Sequence, residues 1–445
     1  MAVQPVVAAE NLPTPVAEDL LPELKGILQQ ALAQSPQMLL KNIEITQNEA
    51  NYIMSRAQML PSVGVGASYS VNGAAVASNT QSTSTASGVY YSGSISQTLF
   101  RWGTVKAQVE ASKIQVSISQ KNYAEAYRLL ALSLRSQYLG LIVKKLAVRN
   151  ARAAYAQAAD LLAVQEDNLK NGRIAESQVT NVRLQAEESS LACDRAVEDL
   201  AQSKRSFVRM AGLKDLREES IPDEIPAVSF DPAAASTMLR QFLDGGWQNA
   251  LSVQVNREWV RVSELNYKQA KYRLFPMFSI GASLSQSNST SASGNVVSQA
   301  SVLSQYFGAS MSWSIFDGLA TRGAKISAMA NRRYYERLLA SGSDQLMEQA
   351  TAQERQLGFS YRAMNLAKAR AEISETAVKT TKEDAQNGLA SQAAVEAAIN
   401  VNYQTQFNVL NQRADFLSRW AEFVSTVGLD PALQNIPASF NVQTR

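Results

Sequence analysis

The chain has 445 residues, a formal net charge of +3, no histidine and a single cysteine, Cys193. The length allows several domains, and the near-neutral balance lacks the basic footprint of a nucleic-acid-binding protein. The missing histidines, the lone cysteine and the lack of a phosphate-cradling or dinucleotide-binding glycine motif argue against an enzyme. We therefore expect no catalytic residues, no metal site and no cofactor.

The N-terminal part is predicted to pass from an extended segment, residues 1–18, into two helices. Apolar residues recur at helical spacing over residues 22–34, and Ser35-Pro36 interrupts the pattern. The second helix covers residues 36–60 and ends before Pro61, because proline disfavours a helical residue ahead of it.

Two long stretches, residues 57–100 and 274–316, contain no charged residue, although 18% of the chain is charged. Apolar residues alternate there with small polar ones, as Val63 and Val65 alternate with Gly64. Successive side chains of a strand point to opposite faces, so each stretch predicts a hairpin with one apolar and one polar face. The predicted strands cover about residues 62–72, 89–100, 277–286 and 305–316, with a loop at 73–88.

Uncharged strands of about ten residues with this alternation are typical of transmembrane β-strands. Aromatic residues lie near the predicted strand ends, where interfacial girdles sit in such barrels. They are Tyr69, Tyr90, Tyr91, Phe100, Trp102, Phe275, Phe278, Tyr306, Phe307 and Trp313. The alternative is a soluble β-sandwich, but its solvent-facing side would ordinarily carry lysine and glutamate.

A very long helix is predicted over residues 104–170, which contain no proline and one glycine, Gly140. At 1.5 Å per residue it would extend about 100 Å, which indicates a coiled coil rather than a compact core. The Asn171-Gly172 turn leads into a return helix over residues 174–210, so the two helices form an antiparallel hairpin.

The sequence landmarks recur at an offset of 215 or 216 residues, which predicts an internal duplication. Leu60-Pro61 corresponds to Phe275-Pro276, and Asn171-Gly172 corresponds to Asn387-Gly388. The second repeat then carries a long helix and a return helix of its own. The predicted organisation is a first repeat at 19–213, a linker at 214–246, a second repeat at 247–429 with helices at 319–386 and 391–427, and a tail at 430–445.

Four strands cannot close a barrel around water, and lipid does not tolerate open sheet edges. A barrel would therefore require association of several chains. Two chains would pool eight strands, which leave little space inside, whereas three would pool twelve.

With this layout, residues 20–430 resemble the TolC-like outer-membrane efflux protein family. The resemblance rests on the duplication, the Leu-Pro and Phe-Pro pairs before the first strand of each repeat, Phe316-Asp317-Gly318, the turn glycines Gly172 and Gly388, and the Gly-Leu ends of the return helices. It implies a mainly α protein with a transmembrane β-barrel, assembled as a homotrimer. The twelve-stranded barrel would lie in the cell outer membrane of a Gram-negative bacterium and the helical tunnel in the periplasm, with residues 214–246 and the C-terminal tail as a belt around the tunnel.

The resemblance also implies the partners: outer-membrane lipid, a periplasmic adaptor (membrane fusion) protein and an inner-membrane pump. Adaptor docking falls on two turns, Asn171-Gly172-Arg173 and Asn387-Gly388-Leu389, which we call the tip turns. The plainer alternative is that their glycines only cap helices.

A gate at the tunnel aperture is a weaker expectation from the same resemblance. The family's aspartates and arginine after the second turn glycine are replaced here by Ala394, Ala397 and Ala390. The remaining candidates near the tip turns are Glu176, Gln178, Asn181, Glu383, Asp384 and Glu396. Exposed ion pairs of small energetic effect are the alternative.

The function predicted from these features is passive export of substrates delivered by the pump. The cargo could be small toxic compounds, as in multidrug efflux, or an unfolded polypeptide, as in type I protein secretion. The competing hypothesis is a soluble structural coiled-coil protein with β-hairpin ends, which would stay soluble and monomeric without detergent.

Overall fold

Helices form most of the computed structural model, which describes residues 12–76, 82–293 and 296–436. Within these residues there are nine α-helices: α1 (Ala17–Leu20), α2 (Pro22–Gln34), α3 (Pro36–Ala57), α4 (Thr104–Lys170), α5 (Glu176–Ala211), α6 (Pro232–Leu243), α7 (Leu251–Lys271), α8 (Ala320–Gln386) and α9 (Gln392–Thr426). Short 3₁₀ helices occur at Glu218–Ser220, Gly246–Asn249 and Pro431–Asn435. Part of the predicted extended segment, 1–11, and of the predicted tail, 437–445, lies outside the described residues.

The long helices were predictable from composition alone. Helices α2 and α4 begin and end at the predicted residues, and α8 begins one residue later than predicted. The end of α3 was predicted three residues too late, because residues 58–60 form a turn ahead of Pro61. The predicted linker at 214–246 contains helix α6, which Asp231 caps by accepting a hydrogen bond from the Ala233 amide at 2.9 Å.

The four strands form one antiparallel sheet in the order β1-β2-β3-β4. They cover Ser62–Val76, Ser82–Phe100, Met277–Ser293 and Val296–Ser312. The two hairpins are joined through β2 and β3, which pair from Phe100↔Phe278 to Ser84↔Ser293 with one irregularity near Thr98. In the described part of the chain, β1 and β4 therefore each have one unpaired edge.

The predicted strand bounds require correction, because the strands extend far into the predicted loop. β1 reaches Val76 and β2 begins at Ser82, so residues 73–76 and 82–88 of that loop are strand. Residues 77–81 and 294–295 lie outside the described residues. At the other end, β4 stops at Ser312 rather than 316. Gly and Ser favour turns when judged singly, but here they pair across the ladder.

The duplication is visible in the backbone. Positive φ angles occur at Trp102, Gly103, Gly172 and Gly212, and again 216 residues later at Gly318, Leu319, Gly388 and Gly428. In each repeat, the first two of these positions form the turn between a β-hairpin and a long helix. They are Trp102 and Gly103 in the first repeat, and Gly318 and Leu319 in the second. Trp102 (φ 50°) and Leu319 (φ 69°) accept a conformation that L-residues rarely adopt. The backbone has thus kept the turn while the glycine occupies a different position in each repeat.

The chain divides into two compact units. The first comprises residues 1–44, 120–255 and 339–445, and the second comprises 45–119 and 256–338. In the first unit, Phe230 packs against Tyr361, Phe416 and Trp420, with ring centroids 5.2 to 5.9 Å apart. Trp420 is fully buried and donates from Nε1 to the Thr14 carbonyl oxygen at 3.1 Å. The N-terminal segment is therefore part of the core of this unit.

A buried ion-pair cluster connects three distant parts of the same unit. Arg135 on α4 is 1% exposed and donates to both carboxylate oxygens of Glu18 and of Asp430. Burial alone would lower the pKa of Arg135, but the charges and hydrogen bonds of Asp430 and Glu18 outweigh it and raise this pKa above its ordinary value. The cluster joins α1, α4 and the segment after α9.

In the second unit, the helices contact one another through small and aromatic residues. The Ser55 and Ser112 hydroxyls, both buried, lie 2.7 Å apart. The rings of Trp259 and Tyr335 stack at 5.4 Å. Small residues allow close helix approach, so α3 can lie beside α4 here.

A pair of glycines provides a matched test of packing in the first unit. Gly212 and Gly428 both have positive φ, but a Cβ atom on Gly212 would overlap the Gln34 carbonyl group, whereas one on Gly428 would have no neighbour within 4 Å. We expect Gly428→Ala to lower the free energy of unfolding by about 1 kcal/mol, from the φ angle alone. Gly212→Ala should cost about 1–3 kcal/mol more because of the overlap. Urea unfolding followed by circular dichroism would measure both, and equal losses would contradict this packing.

Candidate channel wall and docking turns

One face of the sheet is apolar. The ladder places Val63 opposite Ile95, Ile95 opposite Ala282, and Ala282 opposite Phe307. Directly paired residues point to the same side of an antiparallel sheet, so this row forms one surface. The same surface holds Val65, Ala67, Tyr69, Val71, Val89, Tyr91, Phe278, Ile280, Leu284, Ala309 and Met311. Val65 is 89% exposed and Phe307 82% exposed, so this apolar face is uncovered in a single chain.

The opposite face is made of small polar residues. The equivalent row there is Gly64, Ser94, Ser283 and Tyr306. Serines also hydrogen-bond across this face, as Ser62 to Ser96 at 2.8 Å and Ser279 to Ser310 at 3.0 Å. A sheet with an uncharged apolar side and an uncharged hydroxyl side is suited to separate lipid from water.

The apolar face has a limited height. On β1 it runs from Val63 to Val71, which is about 27 Å along the strand. On β3 the same side becomes polar within this span, at Gln286 and Asn288, which pair with Tyr91 and Val89 of β2. The Ser301 hydroxyl donates to Asn288 Oδ1 at 2.7 Å. The apolar height is comparable to the band of roughly 25 Å in outer-membrane barrels. The continuous apolar row is therefore longer on β1 than on β3, where it runs from Phe278 to Leu284.

An aromatic cluster lies where the strands meet the helices of the second unit. Trp102 contacts Phe100 and Phe275, with ring centroids 5.2 and 4.9 Å apart, and its Nε1 donates to the Pro276 carbonyl oxygen at 2.8 Å. Trp313 Nε1 donates to the Leu274 carbonyl oxygen at 3.0 Å. Rings with one apolar and one hydrogen-bonded end are typical of an interface between lipid and water.

Only some of the predicted girdle residues lie at strand ends. Phe100, Trp102, Phe275, Phe278 and Trp313 are at or next to an end. The expectation was wrong for Tyr69, Tyr90, Tyr91, Tyr306 and Phe307, which lie within strands. The reason is that the strands are longer than predicted, so the former ends are now interior positions.

The two tip turns have the same backbone geometry. The Gly172 amide donates to the Leu169 carbonyl at 2.9 Å and the Arg173 amide to the Asn168 carbonyl at 2.8 Å. The second turn repeats this with Gly388 to Ala385 at 3.1 Å and Leu389 to Asp384 at 2.8 Å. A glycine with positive φ, together with these two hydrogen bonds, forms a Schellman motif, which is a common way for a helix to end. The glycines therefore do cap α4 and α8.

The surroundings of the tip turns are open. A Cβ atom on Gly172 or Gly388 would meet no atom within 4 Å, so packing inside the chain does not demand glycine there. Leu389 is 79% exposed, and Asn171, Arg173 and Asn387 are also exposed. The Asn171 side chain donates to Asp167 at 3.0 Å, which fixes its orientation. The tip turns therefore leave both backbone and side chains accessible to solvent.

The candidate gate residues do not pair with each other in one chain. Glu176, Gln178, Asn181 and Glu383 are exposed, whereas Asp384 and Glu396 are half-buried. In the described part of the chain, none of these residues forms an ion pair, although Gln392 donates weakly to Glu396 at 3.5 Å. An ion pair that was not predicted joins Arg183 and Glu166, which flank the first tip turn in the chain, at 3.0 Å.

Two further features are absent from the residues that the structure describes. No group of three or more Asp, Glu, Cys or His side chains has the arrangement of a metal site. No described helix has an apolar stretch long enough to cross a bilayer.

Comparison with known proteins gives a family match in the first half of the chain. Residues 27–213 match the family described as "Outer membrane efflux protein". This range corresponds to the first of the two repeats. A comparison with curated protein sequences gives no match.

Solved structures with a similar fold match nearly the whole chain. The CmeC outer membrane channel of Campylobacter jejuni has a TM-score of 0.69 and 16% identity, covering 91% of this chain and 85% of CmeC. The outer membrane protein VceC of Vibrio cholerae has a TM-score of 0.64 and 16% identity over 93% and 98%. The MtrE outer membrane channel of Neisseria gonorrhoeae, solved in its open state, has a TM-score of 0.61 and 16% identity over 92% and 90%. Residues 27–213 thus match the outer membrane efflux protein family, and the fold of nearly the whole chain is similar to that of solved outer-membrane channels.

Proposed function

We propose that three copies of this chain form a passive export channel across the outer membrane. The observation that carries the proposal is the sheet, which has one apolar face, one serine and glycine face, and two unpaired edges. Lipid does not tolerate unpaired strand edges, so β1 of one copy would pair with β4 of the next. Three four-stranded sheets would close a twelve-stranded barrel with lipid outside and water inside.

The helical part of the chain would lie in the periplasm and continue the water-filled path. We propose that the tip turns dock a periplasmic adaptor protein, which an inner-membrane pump supplies with substrate. The exposed Leu389 and the open space around Gly172 and Gly388 support a docking surface. The candidate gate residues would meet their partners across the copies of the chain, because they have no ion pairs within one copy.

We favour small-molecule efflux over polypeptide secretion as the transport function. The matching family is described as an efflux family, and the barrel face offers hydroxyl groups and no fixed charge. Such a wall would bind passing solutes weakly, so most of the selection of the cargo would fall to the pump. No covalent step is required of any residue.

The proposal predicts a defined membrane topology. Tags inserted between Thr80 and Ser87, or between Ser287 and Ser298, should be labelled by an impermeant reagent on intact cells. Export should continue, because each interval contains the end of a hairpin, between Val76 and Ser82 or between Ser293 and Val296. A matched tag in the linker, at Asp223, should be labelled only after the outer membrane is opened.

Labelling of the hairpin tags only in opened cells would reject this topology. The competing soluble coiled-coil function predicts a different outcome altogether. The protein would then be recovered in the aqueous fraction without detergent, as a monomer of 48.4 kDa.

A further inference from the structure

The polar face of the sheet carries two aromatic side chains that its composition does not lead one to expect. Tyr90 and Tyr306 have the parity of the serine and glycine face. Their chain neighbours Tyr91 and Phe307 have the parity of the apolar face. Where the side chains on this face are described, the other residues are small, apart from Val302 and Met277.

Both rings are accessible on that face. Tyr90 is 39% exposed and Tyr306 57% exposed. The Tyr306 ring lies along its own strand over Gly308, because a Cβ atom there would be 2.5 Å from the phenol oxygen. The glycine thus gives the ring room to lie on the sheet, with one ring face turned away from the strand.

The ladder fixes the spacing of the two rings. Tyr90 pairs with Ser287 and Tyr306 pairs with Ser283, on opposite sides of β3. Four residues along the strand and two strand spacings separate their Cα atoms by roughly 17 Å. In a barrel of three copies, six rings would line the water-filled side.

No carboxylate or cationic side chain lies on the hairpins to compete with the rings. Residues 57–100 and 274–316 contain no charged residue. The negative faces of the two aromatic rings therefore have no fixed charge on the hairpins to compete with them. Aromatic faces attract organic cations and stack on flat rings, and they do not attract anions.

We propose that the Tyr90 ring and the Tyr306 ring each form a binding site for aromatic organic cations inside the barrel. The inference rests on the proposed channel function, because only a closed barrel turns this face towards the solute path. Each site would hold a passing cation briefly and so make the barrel discriminate by charge sign and by aromatic character.

Single-channel recording in planar bilayers tests both sites. Phenyltrimethylammonium should block the unmodified channel for longer than tetraethylammonium, a cation without a ring, or benzenesulfonate, an anion with one. Removing both rings in Tyr90→Ala with Tyr306→Ala should shorten the phenyltrimethylammonium block by about threefold to tenfold. It should also raise the conductance, because side-chain volume is removed from the lumen.

Two control variants separate a ring effect from a general change in the barrel. Tyr91→Ala with Phe307→Ala removes the same amount of aromatic surface from the apolar face, so it should leave the block unchanged. Tyr90→Phe with Tyr306→Phe keeps the ring faces, so it should also keep the block. Equal block in the two alanine double variants would overturn the inference while leaving the channel intact. Failure of the unmodified chain to form channels would overturn the proposed function, and the inference with it.

Discussion

Arg135→Met is expected to lower the free energy of unfolding by about 3–5 kcal/mol. Arg135 donates to Glu18 at 2.8 Å through Nε, and to Asp430 at 2.9 and 2.7 Å through Nη1 and Nη2. The side chains of Glu18 and Asp430 are 7% and 0% exposed. Methionine would fill the space of the arginine stem but would leave two buried carboxylates without a counter-charge.

The measurement is urea or thermal unfolding of the purified protein in detergent. The matched control replaces all three partners, as Arg135→Met, Glu18→Met and Asp430→Asn. This variant should recover most of the lost stability, because a fully replaced buried cluster is often as stable as the original. Asparagine at position 430 keeps an acceptor for the Ala432 amide, which Asp430 now binds at 3.0 Å. If Arg135→Met unfolded at the same urea concentration or temperature as the unchanged protein, the carboxylates would not be buried as described.

The second large effect is expected at the tip turns. Replacing Gly172 and Gly388 together by tryptophan should reduce export by at least about a hundredfold, which corresponds to roughly 3 kcal/mol of docking free energy. The side chains would extend into space that is open in one chain, so the fold should tolerate them apart from the cost of positive φ. Export of a fluorescent substrate from cells would report the loss.

The matched control is asparagine at the same two positions, since asparagine tolerates positive φ and adds little volume. Its export should stay within a few-fold of the unchanged protein. Both variants must assemble equally in the outer membrane, which a heat-modifiable band on a gel would show. Full export by the tryptophan variant would show that the two glycines only cap helices and take no part in docking.

Much of this fold can be read from the sequence, because helix length and strand parity are local properties. Helix α4 was delimited by composition and by the Asn171-Gly172 turn alone. The faces of the sheet followed from the alternation around Val63 and Gly64, and the ladder agrees with that assignment. The offset of 216 residues was also visible before the positive φ angles repeated it.

Features that depend on distant contacts were not predictable in the same way. Arg135 meets partners 117 and 295 residues away, and nothing in the local pattern identifies them. The only signal was a charged residue in an otherwise apolar part of α4. The true strand ends were missed because cross-strand pairing, rather than residue preference, keeps Ser82 and Ser293 in the sheet.

The face of the two polar-side tyrosines was predictable, although the sequence analysis placed both in the girdle. Tyr90 and Tyr306 share the parity of the serines around them, so their face could be read directly from the sequence. Proximity to a supposed strand end was the weaker criterion. For the tip turns, the Asn-Gly pairs predicted the glycines that end α4 and α8, and their role in docking is a proposal.

Cross-linking of β1 to β4 between copies tests the central claim most directly. In a Cys193→Ser background, Ser68→Cys on β1 would be combined in turn with cysteine at Ser298, Ser304, Ser310 or Ser312 on β4, all on the polar face. The account predicts that one of these pairs, oxidised in the outer membrane, gives a covalent product of three chains and nothing larger. Monomers in every combination, with both thiols still reactive, would contradict it.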